Sequence, residues 1–127
     1  KSVDNSVMTN NNYETVVYND LFQYKVNGRV SFEDKKKIKF FQVNSRKLIM
    51  HTTSGIESFY GSIEKLGNEL LEDGFIRVHK SYLVNYRYIK QFMYNRLVLH
   101  DGTEITVSRK YSKDARNYIM QKLKKNS

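Results

Sequence analysis

The chain has no cysteine, no proline and no tryptophan among its 127 residues, and only six glycines. Without thiols there is no disulfide framework, no thiolate zinc site and no cysteine nucleophile, and the absence is consistent with a cytoplasmic protein. Without proline, the punctuation between elements falls to Asn, Asp, Ser and Gly. No apolar run approaches the ~18 residues a membrane span requires, and no secretory signal pattern opens the chain. The phosphate-binding loop, the dinucleotide-binding glycine fingerprint, the zinc-protease histidine pair and the EF-hand loop are all missing. Acidic side chains are sparse where they would matter: Lys and Arg outnumber Asp and Glu by twelve to three from Ile76 to Ser127, against nine to seven from Leu21 to Phe75.

What is present points to a small β-rich domain with a cationic half. Ten Tyr and seven Phe among short alternating segments favour strands. The net charge of +9, skewed into the C-terminal half, favours a polyanionic partner through long-range attraction and counterion release. Three histidines are the main candidates for acid–base chemistry, and none has a set of partners in sequence. His51 is one strand position among several. His79 precedes a turn and is expected on the same strand face as Arg77, a neighbouring cation that suits a neutral, hydrogen-bonded ring in a structural role, the alternative being a phosphate contact at the base of the loop. His100 is followed by Asp101-Gly102, which is explained as hairpin turn chemistry. The expectation is a protein that is not an enzyme and holds neither metal nor cofactor.

Along the chain, residues Lys1 to Asp20 contain five Asn and show no apolar periodicity, so they read as a linker or disordered arm. The first residue is Lys rather than Met, so a fragment of a longer polypeptide is expected. Leu21–Val26, the pair Asn27-Gly28 and Arg29–Phe32 form a hairpin signal, followed by the charged loop Glu33 to Lys37. Ile38–Val43 and Leu48–Thr52 are the next strands, joined by a loop Asn44 to Lys47. After Gly55, Ile56–Tyr60 is expected to pair with Leu48–Thr52. Ser62 is a candidate N-cap, and Ile63, Leu66 and Leu70 recur with helical spacing, predicting a helix to about Glu72 that Asp73-Gly74 closes. Phe75 to His79 alternates, breaks at Lys80-Ser81, and resumes as the apolar run Tyr82 to Val84, predicting two strands around a tight turn with Ile76, Val78, Leu83, Val84 and Ile89 in the core and Lys80 and Ser81 exposed. Tyr88–Tyr94 and Leu97–His100 predict a hairpin, Glu104–Val107 a strand, and Ser108 or Lys110 to Lys124 a final helix whose apolar face is Tyr111, Ala115, Tyr118, Ile119 and Leu123.

The segment Phe75-Ile76-Arg77-Val78-His79-Lys80-Ser81-Tyr82-Leu83-Val84-Asn85, with Thr106-Val107-Ser108-Arg109-Lys110-Tyr111 after a short hairpin, closely resembles the signature of LytTR DNA-binding domains, which usually form the output half of two-component response regulators. The similarity runs from about Leu21 to Leu123, and both segments at their separation are far more specific than either alone. The resemblance implies a mainly β fold with a minor α+β character: an elongated set of small antiparallel sheets with one mid-chain helix and a C-terminal helix, occupying residues 21–125. It also implies a bacterial, cytoplasmic transcription regulator that reads promoter direct repeats in double-stranded DNA through loops in successive major grooves. The receiver domain and sensor kinase would lie outside this chain. A monomer in solution, with two copies aligned on DNA, fits direct repeats better than a symmetric dimer.

Three positions match the DNA-contacting positions of that family: Arg46, Lys80 and Arg109. Arginine presents a fork that matches the O6 and N7 edge of guanine, and lysine reaches the same edge or a phosphate. Ser81, Ser108, Lys110 and Tyr111 would supply phosphate contacts that position the protein without reading sequence. Agr-type members carry a histidine in the first loop. Here Arg46 stands at the matched position with Lys47 beside it, Arg46 being the preferred reader. The rival reading is a non-catalytic basic module that binds RNA or an acidic protein; it is disfavoured by the lack of an aromatic cluster of the kind that stacks on unpaired bases.

Overall fold

A computed structural model of the chain describes residues 20–125. The expected linker, apart from Asp20, lies outside the described residues. The chain divides into two compact units between Lys37 and Ile38.

The first unit contains the hairpin β1 (Leu21–Val26) and β2 (Arg29–Asp34), paired antiparallel from Leu21 opposite Asp34 to Val26 opposite Arg29. Asn27 (φ 52°) and Gly28 (φ 78°) both adopt the left-handed region that a two-residue hairpin turn demands. The Phe22 and Tyr24 rings, two residues apart and so on one face, stack at 5.8 Å. The strand continues through Glu33 and Asp34, which the sequence placed in a loop, and only Lys35–Lys37 leave it as a single 3₁₀ turn.

The second unit is built on a five-stranded antiparallel sheet. Its members are β3 (Ile38–Asn44), β4 (Lys47–Thr52), β5 (Gly55–Tyr60), β6 (Phe75–His79) and β7 (Tyr82–Asn85), in spatial order β5-β4-β3-β7-β6. Between β5 and β6 lies helix α1 (Ile63–Glu69), capped by the Ser62 hydroxyl, which accepts from the Lys65 N–H. The helix is shorter than expected: Leu70 ends it, and Leu71–Asp73 form a 3₁₀ turn closed by Gly74 at φ 104°. A Cβ on Gly74 would stand 2.6 Å from the Arg87 guanidinium and 2.9 Å from the Tyr86 ring, so glycine is required there twice over. After a 3₁₀ turn at Tyr86–Tyr88, strands β8 (Ile89–Phe92), β9 (Arg96–Leu99) and β10 (Glu104–Thr106) form a three-stranded antiparallel meander. Helix α2 (Arg109–Lys125) ends the described chain.

The central strands are apolar on both sides because both faces of the sheet are covered. Phe41 lies opposite Leu83 and meets the Phe75 ring at 5.7 Å on one face, where α1 packs with Ile63, Leu66 and Leu70 buried. Phe40 lies opposite Val84 on the other face. There it joins Val78, Leu97, Leu99, Ile105, Val107 and Ala115 in a single cluster that binds the meander and α2 to the sheet. Val78, Leu83 and Val84 are fully buried as expected, whereas Ile76 and Ile89 are half-buried at the cluster's margin. Asn85 is a fully buried polar residue of this interior, and its amide donates to the Ile38 carbonyl at 2.9 Å.

Helix α2 departs from expectation on its face. Ser112, Ala115 and Ile119 are buried, at i, i+3 and i+7, but Leu123 is exposed. In the last turns the packed face passes through Tyr118 and Lys122, both half-buried, with the Lys122 ammonium over the Tyr118 and Tyr86 rings, and Leu123 falls to the side of it.

Candidate nucleic-acid interface

Two tight turns leave the same end of the five-stranded sheet. β3 and β4 pair until Asn44 opposite Lys47, so the expected four-residue loop contracts to the pair Ser45-Arg46, with Ser45 at φ 62°. Arg46 is exposed at the tip, and its carbonyl accepts from the Gly61 N–H. Lys47 belongs to β4 rather than the turn and stands opposite Tyr60, its ammonium 5.3 Å from that ring. The second turn is Lys80-Ser81. Because β7 starts at Tyr82 opposite Gln42 near the end of β3, this turn emerges beside the first, and the Val43 N–H donates to the Ser81 carbonyl at 2.9 Å. Lys80 is exposed. Ser81 is half-buried, contrary to expectation, because its backbone is engaged on both sides: its N–H donates to His79 Nδ1 at 3.0 Å.

That hydrogen bond requires an unprotonated Nδ1, and the surroundings supply one. Partial burial of His79, then the Lys80 and Arg77 charges, hold its pKa below the usual 6.5. The expected neutral structural imidazole is therefore in place, packed 5.4 Å from the Tyr82 ring. Its strand position differs from expectation. A bulge lets Arg77 face Leu83 and His79 face the next residue, Tyr82, so the inserted Val78 sends Arg77 and His79 to opposite sides of the sheet.

The start of α2 is fixed by backbone bonds: the Ser108 N–H donates to the Val78 carbonyl at 2.9 Å and the Val107 N–H to the Asn95 carbonyl at 3.0 Å. These anchor Arg109, Lys110 and Tyr111 next to the end of β6. Arg109 and Lys110 are exposed, and no acid occupies the helix's first turn. The Lys110 ammonium lies 5.5 Å from the centre of the half-buried Tyr111 ring. The Ser108 hydroxyl is shielded and has no hydrogen-bond partner, so contact with an incoming phosphate requires its rotation. Arg109 also borders a recess of about 500 Å³ with Tyr94, Lys113 and Arg116, across which the Ser112 hydroxyl donates to the Tyr94 carbonyl.

The sequence-derived residues thus gather in two sets, Arg46 with Lys47 and Lys80-Ser81 with Ser108 to Tyr111. Two contributors were missed. Ser112 was legible as a polar residue in register with Ala115 and Ile119. Arg77 was read only as a neighbour of His79, although a long cation three residues before Lys80 is placed to reach the turn that follows.

The model of the LytTr DNA-binding domain family matches residues 28–120. The chain belongs to this family. A solved LytTr DNA-binding domain from a Bacillus cereus methyl-accepting/DNA response regulator superposes with a TM-score of 0.68 at 20% identity, covering 79% of this chain and 96% of its own. That likeness carries the fold: small antiparallel sheets with two helices. In sequence, the Bacillus subtilis (strain 168) sensory transduction protein LytT is 40% identical over 57 residues, which are 40% of this chain and 23% of LytT. The chain therefore matches about a quarter of that relative's length. As a member of this family it is a DNA-binding domain. None of its described helices is long and apolar enough to cross a membrane.

Proposed function

We propose that residues 21–125 form the DNA-binding output domain of a two-component response regulator, with Arg46, Lys80 and Arg109 reading base edges in successive major grooves of a direct-repeat promoter site. Lys47, Ser81, Lys110 and Tyr111, with Ser108 after rotation, would fix the protein on the phosphates. The domain has no catalytic task in this reading, and the receiver and sensor kinase act from outside the chain, in the cytoplasm.

The observation that carries the proposal is the convergence of Arg46 and Lys80 on adjoining turns, the second tied by the Val43–Ser81 hydrogen bond to the strand that leads into the first. Exposed cations at the tips of rigid hairpins can enter a groove at a set separation, whereas the same charges on mobile loops would serve only general attraction. Selection from a randomised duplex pool with the 127-residue protein, followed by footprinting of the recovered sites, tests the reading. Enrichment of a motif repeated in the same orientation supports it. Equal retention of all duplexes, with preference for single-stranded RNA or heparin, would favour the basic-module alternative.

A further inference from the structure

We infer that Arg77 is a positioning residue that locks the Lys80 turn to the first turn of α2, so that the two elements meet DNA as one unit. The inference rests on the proposed DNA-contacting role of Lys80 and Arg109.

Arg77 lies on β6, the edge strand of the five-stranded sheet. Its pairing with Leu83 turns it away from the cluster that holds α2 and toward the face covered by α1. There its aliphatic stem passes over Gly67. A Cβ on that glycine would stand 3.2 Å from Arg77 Cγ and 3.5 Å from Cδ, so the missing side chain leaves the stem its track. From this track the guanidinium reaches round the open strand edge. Nε donates to the His79 carbonyl at 3.3 Å, and Nη2 donates both to the Lys80 carbonyl at 3.0 Å and to the Tyr111 hydroxyl at 3.2 Å. The guanidinium carbon also sits 5.1 Å from the centre of the Tyr111 ring.

One planar group thereby holds the backbone of the Lys80 turn and a side chain of α2, thirty-four residues away in sequence. A lysine at this position has the charge but not the planar fork, and cannot hold both ends while stacking on the ring. The Tyr111 hydroxyl, accepting from Arg77, keeps its own proton to donate to a phosphate, so the brace and a backbone contact are compatible. Arg77 places three of its donors on the protein itself, which separates it from the exposed residues Lys80, Arg109 and Lys110.

The test compares wild type with Arg77→Lys, which keeps the charge. With a duplex selected by wild type and a scrambled duplex as probes, Arg77→Lys should lower the ratio of the two affinities roughly tenfold, in the range of couplings within one hydrogen-bond network, and leave the salt dependence unchanged. In wild type the effects of Lys80→Ala and Arg109→Ala on that ratio should be non-additive; in the Arg77→Lys background they should add. Hydrogen exchange without DNA reads the brace independently. The amides of Ser81 and Tyr111 should exchange faster in Arg77→Lys, while those of β3 and β4 keep their protection. Unchanged exchange at Ser81 and Tyr111 would overturn the inference whatever the DNA result. Unchanged discrimination and additivity, with a selected motif in hand, would also overturn it. A wild type that selects no motif would instead defeat the proposed function, with the exchange experiment still deciding whether Arg77 couples the two elements.

Discussion

The Val43 N–H donates to the Ser81 carbonyl at 2.9 Å, one step beyond Gln42 and Tyr82, the last paired residues of β3 and β7. The bond extends the ladder into the Lys80-Ser81 turn and ties it to the strand that leads to Arg46. The two turns therefore share a scaffold whose central residues, Phe41, Leu83 and Val84, are fully buried. Stability and presentation can be separated experimentally on that basis.

Val84→Ala should destabilise the domain by about 1–3 kcal/mol, since Val84 is fully buried against Phe40 and Val78 and the lost methyls leave a cavity. Lys80→Ala should change stability by less than about 0.5 kcal/mol, because the side chain is exposed and the turn's contacts are made by backbone. Urea melts of both variants give the comparison. Equal losses would show that the Lys80 side chain supports the fold.

Acidification should weaken the domain through His79. Burial, Lys80 and Arg77 depress its folded pKa below the unfolded 6.5, so between those two values the unfolded chain binds more protons than the folded one. The stabilisation is complete above pH 6.5 and is lost as pH falls through the window below it. His51 adds to the same trend, its pKa lowered by burial and by Lys39 and partly restored by Asp101. Thermal melts across this range should show the decline. His79→Asn, which offers a non-titrating acceptor to the Ser81 N–H, should flatten it in part. A variant with the full wild-type pH dependence would remove His79 from the account.

Binding to duplex DNA should fall steeply with salt. A net charge of +9 skewed toward the half that holds Lys80 and Arg109 suits about six to ten phosphate contacts, which imply a loss of about 10³ to 10⁵ in affinity between 50 and 200 mM salt. Titrations in a salt series measure the slope. A nearly flat series would contradict an electrostatic interface.

Arg109→Ala should relax sequence discrimination, costing about 1–3 kcal/mol on the selected site with little change on random DNA. Lys110→Ala should weaken all sites alike and reduce the salt slope by about one contact. Isotherms on the selected site, a guanine-substituted site and random DNA distinguish the two roles. Full retention of guanine preference in Arg109→Ala would reduce that residue to a phosphate contact.

Local chemistry made much of this fold legible. The Asn27-Gly28 turn, the Ser62 cap, the Gly74 stop and the break at Lys80-Ser81 are short-range signals, and each falls where its residues imply. The candidate readers Arg46, Lys80 and Arg109 came from the family resemblance, and their exposure was legible because a cation at a turn or helix start is exposed wherever the element sits. What local chemistry leaves open is register and partnership. A single inserted residue at Val78 sends His79 to the face opposite Arg77, and neighbouring residues in sequence do not reveal a bulge that exists only against Tyr82 and Leu83. The exposure of Leu123 follows from the packed face passing through Lys122 in that turn, a choice the apolar pattern does not make. The sequence alone determined the strands, the turns and the excess of positive charge, since these follow from propensity and composition. Only the tertiary structure decided that Arg77 joins Lys80 to Tyr111, because that contact needs the β6 edge, the gap at Gly67 and the anchored start of α2 to come together in space.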